Sequence, residues 1–471
     1  MQNRILIGAI AIITILYWMI LLFKINLFQK IPDFFWHFMN YTDKSLSLLW
    51  LIVPLAILLY FVISYLLKNH ENHKRNLLLI IIMGYIIQMG FGYMEGRGID
   101  GIRQRMVTTG HSEFVKIAAM APDMKKVAMN YESTIGKTEE LKFVQTKPPG
   151  HLLFYVFTFE VASIFKEDSD PEQNFITLVT FSAYIYPLLT YLVIIPLFYI
   201  SRIFLKAGAA YLPCILYLFI PSVTLVTLHL DQVLYPLLFI SGLLLILNGC
   251  KKDKMILSIL SGVFIYFALY FSFSLLPIIP LGLMFGASYI YSDLASDNKI
   301  KSLGRFVAGL IIGWISAHLL FWFLLDYNVF VRYQNAMAFH QAWKQWESSL
   351  SNIALYGFVN YIEFVCWMGL PISILFFAGS HKKFTELIKK QFNLSNLLFA
   401  VVILIFLLLG IFGKTKSEVG RLWIFMIPIV LLFVSTELQD RFKDKLKPAL
   451  WFILSFQLIT ILFIKRFQDF W

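Results

Sequence analysis

Residues 5–23 read ILIGAIAIITILYWMILLF, 19 positions without one charge. As an α-helix such a run extends roughly 28 Å, close to the ~30 Å of a bilayer's hydrocarbon core. Arg4 precedes it and Lys24 follows, with no small-residue cleavage site between them, so the sequence predicts a retained first span. Comparable runs recur at 46–67, 77–93, 175–200, 207–228, 232–249, 255–271, 274–291, 306–325, 353–378, 395–412, 419–436 and 449–464. The expectation is an all-α polytopic membrane protein with about 13 transmembrane helices.

Composition agrees with that reading. The 471 residues are 59% hydrophobic and only 14% charged, where a soluble domain carries roughly 25% charged residues. This excludes a soluble enzyme and a disordered chain. It also excludes an outer-membrane barrel, whose strands would show short alternating segments. The net charge of +12 comes from basic residues that punctuate the apolar runs. That placement suits loops at an anionic membrane face, and nucleic acid is not an expected partner. Cys214, Cys250 and Cys366 lie in or beside apolar runs and make no disulfide or metal-ligand pattern.

Counting basic residues sets the orientation. With the N-terminus cytoplasmic, the inner segments hold 20 Lys and Arg and the short outer loops hold 10. This balance requires that the short apolar stretch 151–165, which contains Glu160, does not cross. It is expected to be an interfacial or re-entrant helix, leaving 94–174 as one large extracytoplasmic region. Within that region Phe114, Ile117 and Ala118 recur at helical spacing behind Ser112. After Pro122 and Asp123, Met124, Val127, Ala128 and Tyr131 repeat the pattern. Two short helices on the outer membrane surface are expected. A second outer segment, 326–352, is basic and aromatic. No internal repeat or soluble linker is visible, so residues 1–471 read as one membrane domain. Two additional N-terminal spans occupy 1–76, a core occupies 77–436, and a last span occupies 437–471.

Reactive side chains concentrate in the large loop. Glu95, Asp100, His111 and Glu113 are candidate acids or bases. Arg97, Arg103, Arg105 and Lys147 are candidate anion binders. In Lys147-Pro148-Pro149-Gly150-His151-Leu152 the tandem prolines fix an extended backbone and hold Lys147 in place. Leu230-Asp231-Gln232 sets a carboxylate at a span mouth. Arg421, in Glu418-Val419-Gly420-Arg421-Leu422 running to Pro428, has a fork suited to phosphate. Gly420 beside it is expected to let a lipid headgroup approach, and Lys414 and Lys416 to add an anion-attracting rim.

Taken in order, these motifs resemble the GT-C class of integral-membrane glycosyltransferases, in particular the branch of lipid A aminoarabinose transferases and protein O-mannosyltransferases. The similarity covers roughly 77–436. It rests on Glu113-Phe114-Val115-Lys116-Ile117-Ala118, the Lys147-Pro148-Pro149 signature, Asp231 at its span mouth, and Arg421-Leu422 through Pro428. The family's loop opens with Asp-Glu, or with Asp followed by Tyr, where this chain has Gly110-His111-Ser112-Glu113-Phe114. The resemblance implies inverting transfer of a sugar from a polyprenyl-phosphate donor to a hydroxyl of a lipid, glycan or protein acceptor, on the outer face of the plasma membrane. Glu113 or Asp100 would be the catalytic base. Arg421 and Lys147, with Arg103, His111, His151 and Asp231, would hold the substrate phosphate. No spacing demands a cofactor, although His111, Glu113, Asp100 and His151 offer ligands for a divalent metal. The competing class is a secondary transporter or lipid flippase, for which Pro277 and Pro280 could break a helix.

Overall fold

The computed structural model describes residues 2–26, 46–120, 122–135, 141–164, 170–225, 228–292, 298–412, 415–416 and 418–468. Lys414 and the acidic residues 167 and 168 lie outside them. Every regular element among the described residues is helical. Among the described residues, nine helices are long and apolar enough to cross a membrane, or up to ten with a bent pair taken as one span.

The first helices, α1 (Gln2–Leu22), α2 (Ile52–Leu66) and α3 (His73–Tyr93), match the first three expected runs. The loop region then folds as α4 (Gly98–Val107), α5 (Ser112–Ala119), α6 (Met124–Met129), α7 (Tyr131–Ile135) and α8 (Lys142–Gln145). Asp123 caps α6, its carboxylate accepting the Lys126 N–H at 2.9 Å. The expected cap on α5, Ser112, is instead its first residue, with His111 in the cap position. Phe114, Val115 and Ala118 of α5 are fully buried. The apolar face of α5 therefore packs on protein, chiefly on α9 (Pro149–Ser163) and α10 (Pro171–Thr190). The helix α9 carries the short stretch 151–165 and is not among the candidate spans. Its Glu160 is exposed. Pro148 is extended and Pro149 opens the helix, as the tandem prolines require.

The run 207–228 is not one helix. After α11 (Ile194–Phe204) the chain makes α12 (Leu212–Tyr217), α13 (Pro221–Thr224) and α14 (Leu230–Val233). Hydropathy there is uniform, but Pro213 and Pro221 lack the N–H that would continue a ladder, and Ile220 is extended ahead of Pro221. These short pieces are buried throughout. Irregular backbone at membrane depth is tolerated in such a protein-lined setting.

Next come α15 (Tyr235–Lys252), α16 (Met255–Phe271), α17 (Ile278–Ser292), α18 (Lys299–Leu325) and α19 (Val329–Lys344). Pro277 and Pro280 lie just before and within the first turn of α17, so they do not break a span. The expected span 353–378 is bent by 115° between α20 (Leu350–Met368) and α21 (Leu370–Ile388). The bend falls at Gly369, whose φ of +89° is open to glycine and costly for other residues. After α22 (Leu394–Phe412) and α23 (Val419–Leu422), the 44 residues Ile424–Phe467 hold α24 (Ile427–Phe442) and α25 (Leu446–Phe467), divided at Lys443. Helix α1 packs on α25 and α21, and α2 packs on α3.

Candidate active site

Three chain segments meet at a buried carboxylate. Asp231 enters from α14, behind Leu228, whose positive φ of +72° turns the chain inward. Lys147 arrives just ahead of Pro148, and Arg421 from α23. Asp231 is fully buried. Its Oδ1 lies 3.4 Å from Lys147 Nζ, and its Oδ2 lies 3.3 Å from Arg421 Nε. Lys147 also donates to the Tyr235 hydroxyl at 3.3 Å. A buried carboxylate between two cations is held ionised and holds both cations in place. The structure thus brings Lys147, Asp231 and Arg421 together.

Histidines form the floor. His111 stacks on His229 with ring centroids 4.0 Å apart and planes 6° from parallel. Arg421 Nη1 lies 3.1 Å from His111 Nε2. Arginine can only donate, so Nε2 is the bare nitrogen, and Nδ1–H donates to the Tyr155 hydroxyl at 3.3 Å. Burial first, then the neighbouring His229 and Arg421, push the His111 pKa well below its ordinary value, which agrees with that neutral tautomer. His151 sits nearby, its Nδ1 3.5 Å from the Tyr235 hydroxyl. Burial, aided by Lys147, brings its pKa down to about 3.

Arg421 makes a third contact. Its Nη2 donates to Glu418 Oε2 at 3.0 Å, while Lys344 donates to Glu418 Oε1 at 2.5 Å. Burial pushes the Glu418 carboxyl up, but Arg421 and Lys344 outweigh it and leave the pKa below its ordinary value. Sequence reasoning singles out neither Glu418, Lys344 nor His229 as a site residue. Glu418 and His229 do stand inside the motifs around Arg421 and Asp231. Lys344 belongs to the segment 326–352, of which only the basic and aromatic character is legible.

The structure does not bring the other candidates to this cluster. Glu113 turns to the start of α8, where its Oε2 accepts the Phe143 and Val144 N–H groups at 2.8 and 3.1 Å. Burial raises its pKa, and those N–H groups partly offset the rise. Asp100 is largely exposed and pairs with Arg103 at 2.9 Å, one turn along α4. Glu95 is buried under Arg105 and Lys465, at 2.5 and 2.7 Å. Gly420 does not make room for a ligand: a Cβ there would lie 2.7 Å from the Trp367 ring, so the missing side chain admits that indole.

A cavity of about 690 Å³ opens beside the cluster. Its lining includes Lys147, Glu418 and Arg421, together with His340, Gln341 and Trp343 of α19. Apolar side chains line it as well: Leu276, Pro277, Ile279 and Pro280 around the start of α17, and Ile405, Leu408, Leu409 and Phe412 at the end of α22. Those α22 positions share one helical face.

The ligands for a divalent ion do not converge. Among the described residues no group of three or more His, Cys, Asp or Glu side chains is arranged to hold a metal. Each Asp231 oxygen faces a cationic side chain. His111 and His151 have ring centroids 5.7 Å apart, and Asp100 and Glu113 point elsewhere.

No protein-family model matches the chain, and no curated protein sequence matches it. Among solved structures it is similar to an Archaeoglobus fulgidus oligosaccharyltransferase, crystallised with Zn and sulfate. That match has a TM-score of 0.51 and 15% identity, over 81% of this chain and 52% of the archaeal one. The apo form of the same enzyme gives a TM-score of 0.52 and 13% identity, over 84% and 56%. The chain therefore spans about half the length of the archaeal protein it matches. At this identity the likeness is one of fold.

Proposed function

We propose that the protein is an inverting membrane glycosyltransferase. It would move a sugar from a polyprenyl-phosphate donor to a hydroxyl of a lipid, glycan or protein acceptor, on the extracytoplasmic side of the plasma membrane. The observation that carries this reading is the cavity's mixed lining. It presents Lys147 and Arg421, and it also presents apolar side chains of α17 and α22. A phosphate esterified to a prenyl tail is the ligand that uses both.

The cations have capacity to spare. Arg421 has five N–H donors: Nη1 and Nη2 direct one each at His111 and Glu418, and Nε lies 3.3 Å from Asp231 Oδ2, so a second N–H on each Nη remains for phosphate. Lys147 directs two of its three donors at Asp231 and Tyr235. Negative charge grows on the phosphate as the glycosyl bond breaks. Cations already fixed by Asp231 and Glu418 meet that charge without reorganising. The neutral His111, with His151 beneath, adds no competing positive charge.

The test is transfer in detergent from a panel of radiolabelled polyprenyl-phosphate sugars to water or a crude lipid acceptor. Release of polyprenyl phosphate from at least one donor is expected. Absence of both release and saturable polyprenyl-phosphate binding would remove this reading.

A further inference from the structure

We propose that Glu418 is the general base that takes the acceptor's hydroxyl proton, a role that rests on the donor reading above. Among the described residues lining the cavity it is the only carboxylate. Asp231 lies buried behind the two cations, Glu113 is engaged with the backbone of α8, and Asp100 is on the surface with Arg103.

The geometry suits the task. Lys344 and Arg421 approach one oxygen of Glu418 each. A carboxylate oxygen has two lone pairs, so either one can also accept an O–H that enters from the cavity. Arg421 ties the base to the leaving group, because the same guanidinium that holds Glu418 at 3.0 Å faces the phosphate position. An acceptor oxygen within about 2.6–3.2 Å of the carboxylate, and about 3–3.5 Å from the anomeric carbon, fits beside one guanidinium fork.

In the step, the acceptor oxygen forms a bond to the anomeric carbon. The bond from that carbon to the phosphate oxygen breaks, and its electron pair leaves with the phosphate. A singly charged diester becomes a doubly charged monoester, met by Lys147 and Arg421. The proton passes from the acceptor oxygen to Glu418 and then to water. Glycosyl transfer passes through an oxocarbenium-like state, and the attacking hydroxyl becomes strongly acidic only as its new bond forms. A base held ionised by two cations is sufficient at that point.

The experiment uses the full chain in detergent, with Glu418→Gln and Glu418→Ala beside wild type. Polyprenyl phosphate alone is the binding probe, read by tryptophan fluorescence, and the labelled donor found active with wild type reads turnover. Polyprenyl phosphate affinity should stay within ~3-fold of wild type, while kcat falls by at least ~100-fold. Sodium azide, which needs no deprotonation, should restore donor consumption by Glu418→Ala and give the glycosyl azide. Near-wild-type kcat in Glu418→Gln overturns the proposal and leaves the donor reading intact. So does loss of binding in step with turnover, which would make Glu418 a positioning residue for Arg421, or failure of azide with binding preserved. Wild type that binds no polyprenyl phosphate and consumes no donor overturns the donor reading, and this role with it.

Discussion

Arg421 donates to the unprotonated Nε2 of His111 at 3.1 Å, across a sequence separation of 310 residues. The contact orients the guanidinium, because Nη2 donates at the same time to Glu418 and Nε lies 3.3 Å from Asp231 Oδ2. A planar fork meets three partners in three directions. An ammonium has three donors on a single atom, so it cannot reach partners spaced to match Nε, Nη1 and Nη2.

Arg421→Lys should therefore fail almost as fully as Arg421→Ala. Charge-assisted hydrogen bonds contribute about 1.5–3 kcal/mol, which corresponds to roughly a 10- to 100-fold loss of donor affinity or rate. Polyprenyl-phosphate binding and turnover measured on both variants check this. A lysine variant that behaves as wild type would reduce Arg421 to an anchor at a helix end.

Stability should fall in mild acid. The folded pKa values of His111 and His151 are depressed by burial, the second to about 3. Unfolded histidine titrates near ~6.5, so below that pH the unfolded chain binds protons that the fold refuses. The stability is complete above ~6.5 and is lost as pH falls toward the folded values, by roughly 1.4 kcal/mol per histidine per pH unit. Thermal unfolding in detergent at neutral pH and about one unit below the unfolded pKa measures the slope. His151→Gln should flatten it, and an unchanged slope would contradict the buried neutral imidazole.

The fold class and most of the cluster are legible in the sequence, because charged residues stand out where apolar runs stop. Asp231, Lys147, His151, His111 and Arg421 are all visible that way. Which carboxylate faces the cavity is not. Glu113 opens an amphipathic helix, as the resemblance suggests, but its partners are backbone N–H groups thirty residues later, which no local pattern reports. Glu418 reads as the start of Arg421's motif and not as a reactive group. The run 207–228 looks like a span because hydropathy adds side chains and ignores the backbone, where Pro213 and Pro221 interrupt the helix.

Helices α16 and α18 approach so closely that a Cβ on Gly313 would lie 2.0 Å from the Ile259 carbonyl oxygen. Backbone cannot yield as a flexible side chain can. Gly313→Val should cost at least the ~1–3 kcal/mol of an overpacked core and reduce the folded yield. Gly304, on the same helix, is the control, since a Cβ there would meet nothing within 4 Å. Gly304→Ala should keep or slightly raise thermal stability, since alanine favours helix by ~1 kcal/mol. Equal behaviour of the two variants would refute the close contact.

Orientation is testable on either side of α9. Lys125 precedes that helix and Glu172 follows it, and both are exposed. Single cysteines at the two positions, in a chain freed of its own three, should both react with an impermeant maleimide in intact cells. Modification of only one would show that 151–165 crosses, and the outer placement of 94–174 would fall.

The apolar lining from α17 and α22 is testable with ligands of graded length. If the prenyl tail lies between α17 and α22, affinity for polyprenyl phosphates should rise with chain length until that lining is covered. Each buried methylene contributes ~0.8 kcal/mol at most, so one isoprene unit that is only partly covered should still improve binding several-fold. Leu409 belongs to this lining and is half-buried. Leu409→Trp would fill the groove and leave Lys147 and Arg421 in place. It should weaken binding of a long-chain polyprenyl phosphate about ten-fold, yet barely affect a short dimethylallyl phosphate, which engages only the cations. Arg421→Ala should do the reverse in proportion, weakening both ligands alike. If Leu409→Trp leaves long-chain binding untouched while Arg421→Ala abolishes it, the phosphate site stands and the tail runs along another cleft.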